Sequence, residues 1–236
     1  MDEPTSLFGE TEISGTNYGR VTDAIRDRIV RGTYPPGSRL KVNDLCEQFG
    51  ISSNPVREAL QQLQGEGLVV ILPNKGATVR LIDDKLIRHI YEIGAVLDGY
   101  LAGRCAEIAT PAQVQRLRDI EKLLEDAVAA GEGLGRADRN RDFHTCFGEI
   151  SGNTEAVSIR RRHHNLIRTI RLRYGFSSKR MDGIIAEHRA IIEAIESGDV
   201  TAAEQAARIH SQNSLDDMLK RYQGFASVEG HEDQDA

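Results

Sequence analysis

Apolar residues along the first third of the chain recur with two different periods. From Asn17 to Arg31, the positions Tyr18, Val21, Ala24, Ile25 and Ile29 follow i, i+3, i+4 spacing, which predicts a helix. Gly32 and Tyr34-Pro35-Pro36-Gly37 end it. A short helix is expected over Asn43 to Phe49, with Leu45 and Phe49 on one side and Gly50 as its stop. Asn54 is expected as an N-cap with Pro55 in the first turn, opening a third helix through Val56, Ala59, Leu60 and Leu63 to about Glu66. Leu68-Val69-Val70-Ile71-Leu72 then reads as a strand, Pro73-Asn74-Lys75-Gly76 as a turn, and Ala77 to Ile82 as a returning strand.

Beyond Ile82 the strand signal vanishes. Asp83 is expected to cap a long helix through Leu86, Ile90, Ile93, Leu97 and Leu101. Thr110-Pro111 opens another through Val114, Leu117, Ile120 and Leu124, ending near Gly131, with a loop to Gly135. Further helices are expected over Arg136–Ile150, Thr154–Arg173, Ser178–Ser197 and Val200–Tyr222, broken at Gly152-Asn153, Gly175 and Gly198-Asp199. The expected fold is mainly α: an N-terminal winged helix-turn-helix and a C-terminal antiparallel six-helix bundle. The expected divisions are a disordered arm (1–16), a winged-helix domain (17–82), an all-helical domain (83–222) and a flexible tail (223–236).

Charge sharpens this division. The whole chain carries a net −6, which argues weakly against nucleic acid. Residues 17–80, however, hold nine basic and six acidic side chains, so a mildly basic module lies between an acidic arm and an acidic body. No apolar run approaches the ~18 residues of a membrane span. Met1 to Glu10 carries Asp2, Glu3 and Glu10 and lacks the apolar segment of a signal peptide. Three widely spaced cysteines, Cys46, Cys105 and Cys146, make neither a disulfide framework nor a metal clip; the expected location is the reducing cytoplasm.

Val42 to Leu63 fits a helix-turn-helix centred on Gly50. A recognition helix needs small polar and basic groups at its N-terminus to reach base edges and phosphates. Ser52, Ser53, Asn54 and Arg57 supply them, and the hairpin tip with Asn74 and Lys75 would act as a wing. Such a trihelical unit can also serve as a mere packing module; the hairpin and the local positive charge favour DNA.

Residues 25–81 closely resemble the winged helix of the GntR superfamily of bacterial transcription regulators. The resemblance is carried by Pro36-Gly37-Ser38-Arg39-Leu40, Pro55-Val56-Arg57-Glu58-Ala59-Leu60, Glu66-Gly67-Leu68-Val69 and Asn74-Lys75-Gly76. The helical remainder resembles the FadR-like branch with an FCD ligand-binding domain. The resemblance implies DNA contacts from Arg39, Ser52, Ser53, Asn54, Arg57, Asn74, Lys75 and Gly76, a palindromic double-stranded operator and a homodimer. Where the family usually has Ser-Arg-Thr before the Pro-Val-Arg block, this chain has Ser52-Ser53-Asn54. A hydroxyl cannot make the bidentate guanine contact of Arg, worth ~1–3 kcal/mol of discrimination, whereas Asn54 can read adenine. The expected operator therefore departs from the usual one.

In the bundle, Asn140 and His144 share a helix face at i, i+4. His188 follows the phase of Ile185, Ile192 and Ile195, and His210 that of Ala203 and Ala207. Three imidazoles and an amide oxygen pointing inward suit a divalent transition metal, Zn²⁺ before Ni²⁺ or Mn²⁺. Any one of these histidines alone would more often be a hydrogen-bonded core residue. The resemblance points to the same four residues, because metal-binding members carry Asp or Asn, x, x, Phe, His and two later histidines. It also implies a small, carboxylate effector held between metal and basic side chains, for which Arg168 and Arg171 are the candidates in an arginine-rich run otherwise expected to face solvent. The family's first bundle helix often places an Arg in the pocket where this chain has Gly94, so a roomier, less cationic pocket is expected. The competing readings are a helical metalloenzyme using the same Asn/His site, though no general base is evident beside it, and a DNA-binding architectural protein with a ligand-free bundle.

Overall fold

The computed structural model describes residues 17–72, 75–131 and 133–232. Residues 1–16, where an arm was expected, Pro73 and Asn74, where a turn was expected, Glu132 and the last four residues lie outside them. The chain divides into two compact units between Arg80 and Leu81.

The first unit contains α1 (Asn17–Val30), β1 (Arg39–Leu40), α2 (Val42–Phe49), α3 (Ser53–Gly65), β2 (Val69–Leu72) and β3 (Gly76–Val79). The helical spacing turns Val21, Ile25 and Ile29 of α1 and Val56, Ala59, Leu60 and Leu63 of α3 into one buried core. Each such large apolar side chain contributes about 2 kcal/mol. Arg26 ties α1 to the end of α3 through Glu66, with Nη2 to Oε1 at 2.8 Å. Gly50 closes α2 at φ 64°, a left-handed conformation that admits the tight turn to α3. The sheet order is β1-β3-β2, antiparallel throughout, with Arg39 opposite Thr78 and Leu40 opposite Ala77. At two residues, β1 is too short for a period-2 signal and was not expected. The N-cap of α3 is Ser52, not Asn54. The first four N–H groups of a helix have no intrahelical acceptor, so Pro55 fits the third helical position as well as the first.

The second unit contains α4 (Asp84–Ile108), α5 (Pro111–Ala129), α6 (Gly133–Ser151), α7 (Thr154–Tyr174), α8 (Ser178–Glu196) and α9 (Val200–Glu232). Its helix starts follow the sequence signals. The Asp83 carboxylate accepts from Leu86 N at 2.7 Å, Thr110 and Gln113 form a capping box, and Asn153 accepts from Ala156 N at 3.0 Å. Helix α6 begins at Gly133, inside the expected loop. Helix α4 packs mainly on α9, and α5 lies against α6 and α8. Leu101, Leu117, Phe143, Phe147, Ile191 and Ala203 centre the core. The expected loose tail from Gln223 is instead helix to Glu232. Its start is anchored: Tyr222 donates to Ile82 O at 3.1 Å, Gln223 to Asp84 at 3.0 Å, and Phe225 meets the Tyr174 ring at 5.3 Å.

Candidate metal centre and nucleic-acid interface

In the first unit, Ser52, Ser53, Asn54 and Arg57 are all exposed around the N-terminus of α3. Lys75 is exposed at the hairpin turn, where its N–H donates to Leu72 O at 3.1 Å. Gly76 takes φ 80°, and a Cβ there would meet the Arg39 guanidinium at 3.7 Å. The Arg39 guanidinium therefore lies beside the turn end of the wing. Asn74 falls outside the described residues.

In the second unit, His144, His188 and His210 come together from α6, α8 and α9, all buried. One ligand atom from each lies within 4.8 Å of the others. Their outer nitrogens face carboxylates. His188 Nδ1 lies 2.7 Å from Glu121 Oε2 on α5, and His210 Nδ1 lies 2.8 Å from Glu187 Oε2 on α8. His144 Nδ1 is 3.6 Å from Asp98 Oδ2 on α4. A carboxylate only accepts, so the Nδ1 atoms of His188 and His210 carry protons and their Nε2 lone pairs point inward.

The inner atoms face one another or are left without a partner. His144 Nε2 and His210 Nε2 face each other at 3.2 Å, about the ~3 Å that separates two nitrogen ligands of one small cation. His188 Nε2 and Asn140 Oδ1 are sealed from solvent without a hydrogen-bond partner. Phe143 stacks on the His188 ring at 3.9 Å and fixes its orientation. Three clustered imidazoles, two of them oriented from behind by a hydrogen-bonded acid, fit a divalent transition metal.

The electrostatics favour the neutral form of His144 and His210, the form a ligand needs. Burial pushes the His210 imidazole down to about 3, against the pull of Glu187, and burial also lowers His144 more than Asp98 raises it. Burial would raise Glu187, but its bonds to His210 and Arg180 hold it at about 2. Burial would likewise raise Asp98, yet Arg160 and His144 hold it well below the usual carboxylate range. His164, whose ring meets that of His144 at 4.7 Å, is driven well below its usual value by burial and then by Arg160.

A cavity of about 40 Å³ adjoins the histidines, lined among others by Asn140, His144, Arg160, His164, Arg171 and His210. The arginine-rich run is therefore not all solvated. Arg171 is buried and reaches Asp217, Ser214 O and Gly175 O at 2.6, 2.8 and 3.0 Å. Arg168 binds Asp138 at 2.8 Å and lines a neighbouring cavity of about 30 Å³. The expected roomier, less cationic pocket is overturned at Gly94. The Arg160 guanidinium from α7 fills the space above that glycine.

Sequence reasoning missed Asp98, Glu121, Glu187, Arg160 and His164. Glu121 sits at the helical phase of Leu117 and Leu124, and Asp98 at that of Tyr91 and Leu101. An acid inside an apolar stripe was the available signal. Arg160 and His164 lay in the arginine-rich run from which an inward-turning arginine was expected, but nothing in the run singled them out over Arg168 and Arg171.

The gntR family of bacterial regulatory proteins matches residues 17–79, and the FCD domain matches residues 89–213. The chain belongs to the GntR family, with an FCD domain. It is similar to the uncharacterized HTH-type transcriptional regulator YdhC of Bacillus subtilis, at 26% identity over 85% of this chain and 90% of the relative. It is also similar to the probable D-xylose utilization operon transcriptional repressor of Paenarthrobacter nicotinovorans, at 27% identity over 89% of this chain and 90% of the relative. Among solved structures, Escherichia coli McbR/YncC shares the fold with a TM-score of 0.69, at 20% identity, over 88% of this chain and 99% of that one. This GntR-family chain is a DNA-binding transcription regulator and not an enzyme, so the metalloenzyme alternative falls. Among the described residues, no helix is long and apolar enough to cross a membrane.

Proposed function

We propose that this regulator binds a palindromic operator as a homodimer and answers to a small carboxylate held at a metal centre in its helical domain. Asn140, His144, His188 and His210 would hold the ion, Zn²⁺ before Ni²⁺ or Mn²⁺. When bound, the ion supplies a Lewis-acid seat for an anionic oxygen. The chain's own residues do the rest. Glu121 and Glu187 orient two rings, Phe143 packs a third surface against them, and Arg171, with Arg168 beside it, adds positive charge to the wall. The single observation that carries this reading is that ligand nitrogens of three buried histidines lie within 4.8 Å of one another, with His188 Nε2 buried and unpartnered. The relative named for D-xylose utilization supports a metabolite as the signal.

DNA contact falls to Ser52, Ser53, Asn54 and Arg57 on α3, and to Arg39, Asn74, Lys75 and Gly76 on the wing. A homodimer follows from half-site symmetry. The exposed apolar stripe Ile93, Val96 and Tyr100 on α4 supports a second copy as its cover.

The test starts from duplexes selected from a random pool by the full, metal-loaded chain. Selection should return a palindrome, and at least one short carboxylate should change operator affinity by about 5- to 150-fold in fluorescence anisotropy. Recovery of no preferred duplex would overturn the operator assignment. Affinity unmoved by a broad panel of carboxylates would overturn the effector assignment.

A further inference from the structure

Gly94 on α4 and Arg160 on α7 form a matched pair. A Cβ at position 94 would lie 3.3 Å from Arg160 Cζ and 3.4 Å from Nη1, so the guanidinium rests on the bare backbone of α4. Its other edge is held by a fork: Nε and Nη2 each donate to an Asp98 oxygen at 2.5 Å. Ser211 also donates to Asp98, at 3.2 Å.

The third nitrogen is different. Arg160 Nη1 is sealed from solvent and has no hydrogen-bond partner, in a side chain 8% exposed. Burying a charged donor without an acceptor carries a penalty that an incoming anion would remove. Arg160 lines the cavity of about 40 Å³ beside His144 and His210. It also lines a second cavity, of about 100 Å³, with Leu101, Thr145, Gly148 and Val157. The first is too small for the body of a carboxylate, and the second shares His144, Arg160 and His164 with it. The neighbouring arginines are more engaged at their tips: both terminal nitrogens of Arg171 have oxygen partners, leaving only its Nε without one, and Arg168 has Asp138.

We infer that Arg160 is the residue that receives the effector's carboxylate, through Nη1, and that Gly94 is the residue that makes room for it. Asp98 is a positioning residue that fixes the fork. The pocket's cation thus comes from α7 instead of α4, so the effector's charge is read by α7. The inference rests on the carboxylate reading above.

The experiment uses the full, metal-loaded chain, titrated calorimetrically with acetate, malonate and succinate, and with acetamide as a neutral control. The variants are Arg160→Lys, Arg160→Gln and Gly94→Ala. Arg160→Lys, which keeps a cation beside Asp98, serves if Arg160→Gln misfolds. Metal content and operator affinity without carboxylate are measured for each. Wild type should bind at least one carboxylate and not acetamide. Every variant should bind that carboxylate at least about tenfold more weakly while keeping its metal and its basal DNA affinity. Variants that keep wild-type carboxylate affinity would overturn this inference alone. A metal-loaded wild type that binds none of the three would overturn the carboxylate reading and this inference with it. Weakening that appears only with metal loss would assign Arg160 a structural role and overturn the inference.

Discussion

Glu121 and His188 share a buried ion-dipole contact, Oε2 to Nδ1 at 2.7 Å, between α5 and α8. It holds the ring so that Nε2 faces the other two imidazoles. Glu121→Gln keeps the shape and removes the charge. Metal affinity should fall about 10- to 100-fold, measured by competition with a chelating dye. Glu125→Gln, which breaks only surface pairs with Arg189 and Lys122, should leave it unchanged. Equal affinities for the two variants would remove Glu121 from the centre.

Metal-free protein should lose stability in mild acid. The folded-state values of His210 (about 3) and His144 are lowered from the usual 6.5. Between the folded and unfolded values the unfolded chain binds more protons, so stability rises with pH through that window and is fully present above about 6.5. Glu187, held at about 2, acts in the same direction at lower pH. Urea midpoints of chelator-treated protein should therefore be lower at pH 5 than at pH 7. Equal midpoints would contradict buried, neutral imidazoles.

Arg57 is exposed on the first turns of α3. Arg57→Ala should weaken operator binding about tenfold and reduce the slope of log affinity against log salt by about 1. An anisotropy titration across a salt series checks both. An unchanged slope would move the phosphate contact elsewhere.

Ile93, Val96 and Tyr100 are 49%, 52% and 40% exposed on one face of α4. Light scattering of the full chain at tens of micromolar should give twice the chain mass, and Val96→Asp should shift it toward the monomer. A wild-type monomer at that concentration would contradict the homodimer.

Much of this molecule was legible before its fold. Periodicity and punctuation identify the helices because the caps Asp83, Thr110 and Asn153 act locally, within three residues. The clustering of His144, His188 and His210 was legible because His188 and His210 lie on apolar stripes and His144 shares a helix face with Asn140. Strand β1 was not, because two residues paired with a distant strand leave no local pattern. Nor was the Asp98–Arg160 fork, which joins residues 62 apart. It depends on a glycine whose missing side chain, read alone, suggested empty space. The end of α9 was misjudged because contacts made by Tyr222, Gln223 and Phe225, not helix propensity, carry it onward.

The most direct test is elemental mass spectrometry of protein purified without added metal or chelator, beside His188→Ala. The account predicts about one divalent transition metal per wild-type chain and none in the variant. Sub-stoichiometric metal that dialysis against Zn²⁺, Ni²⁺ or Mn²⁺ fails to raise would contradict it, and would return His144, His188 and His210 to the role of hydrogen-bonded core residues.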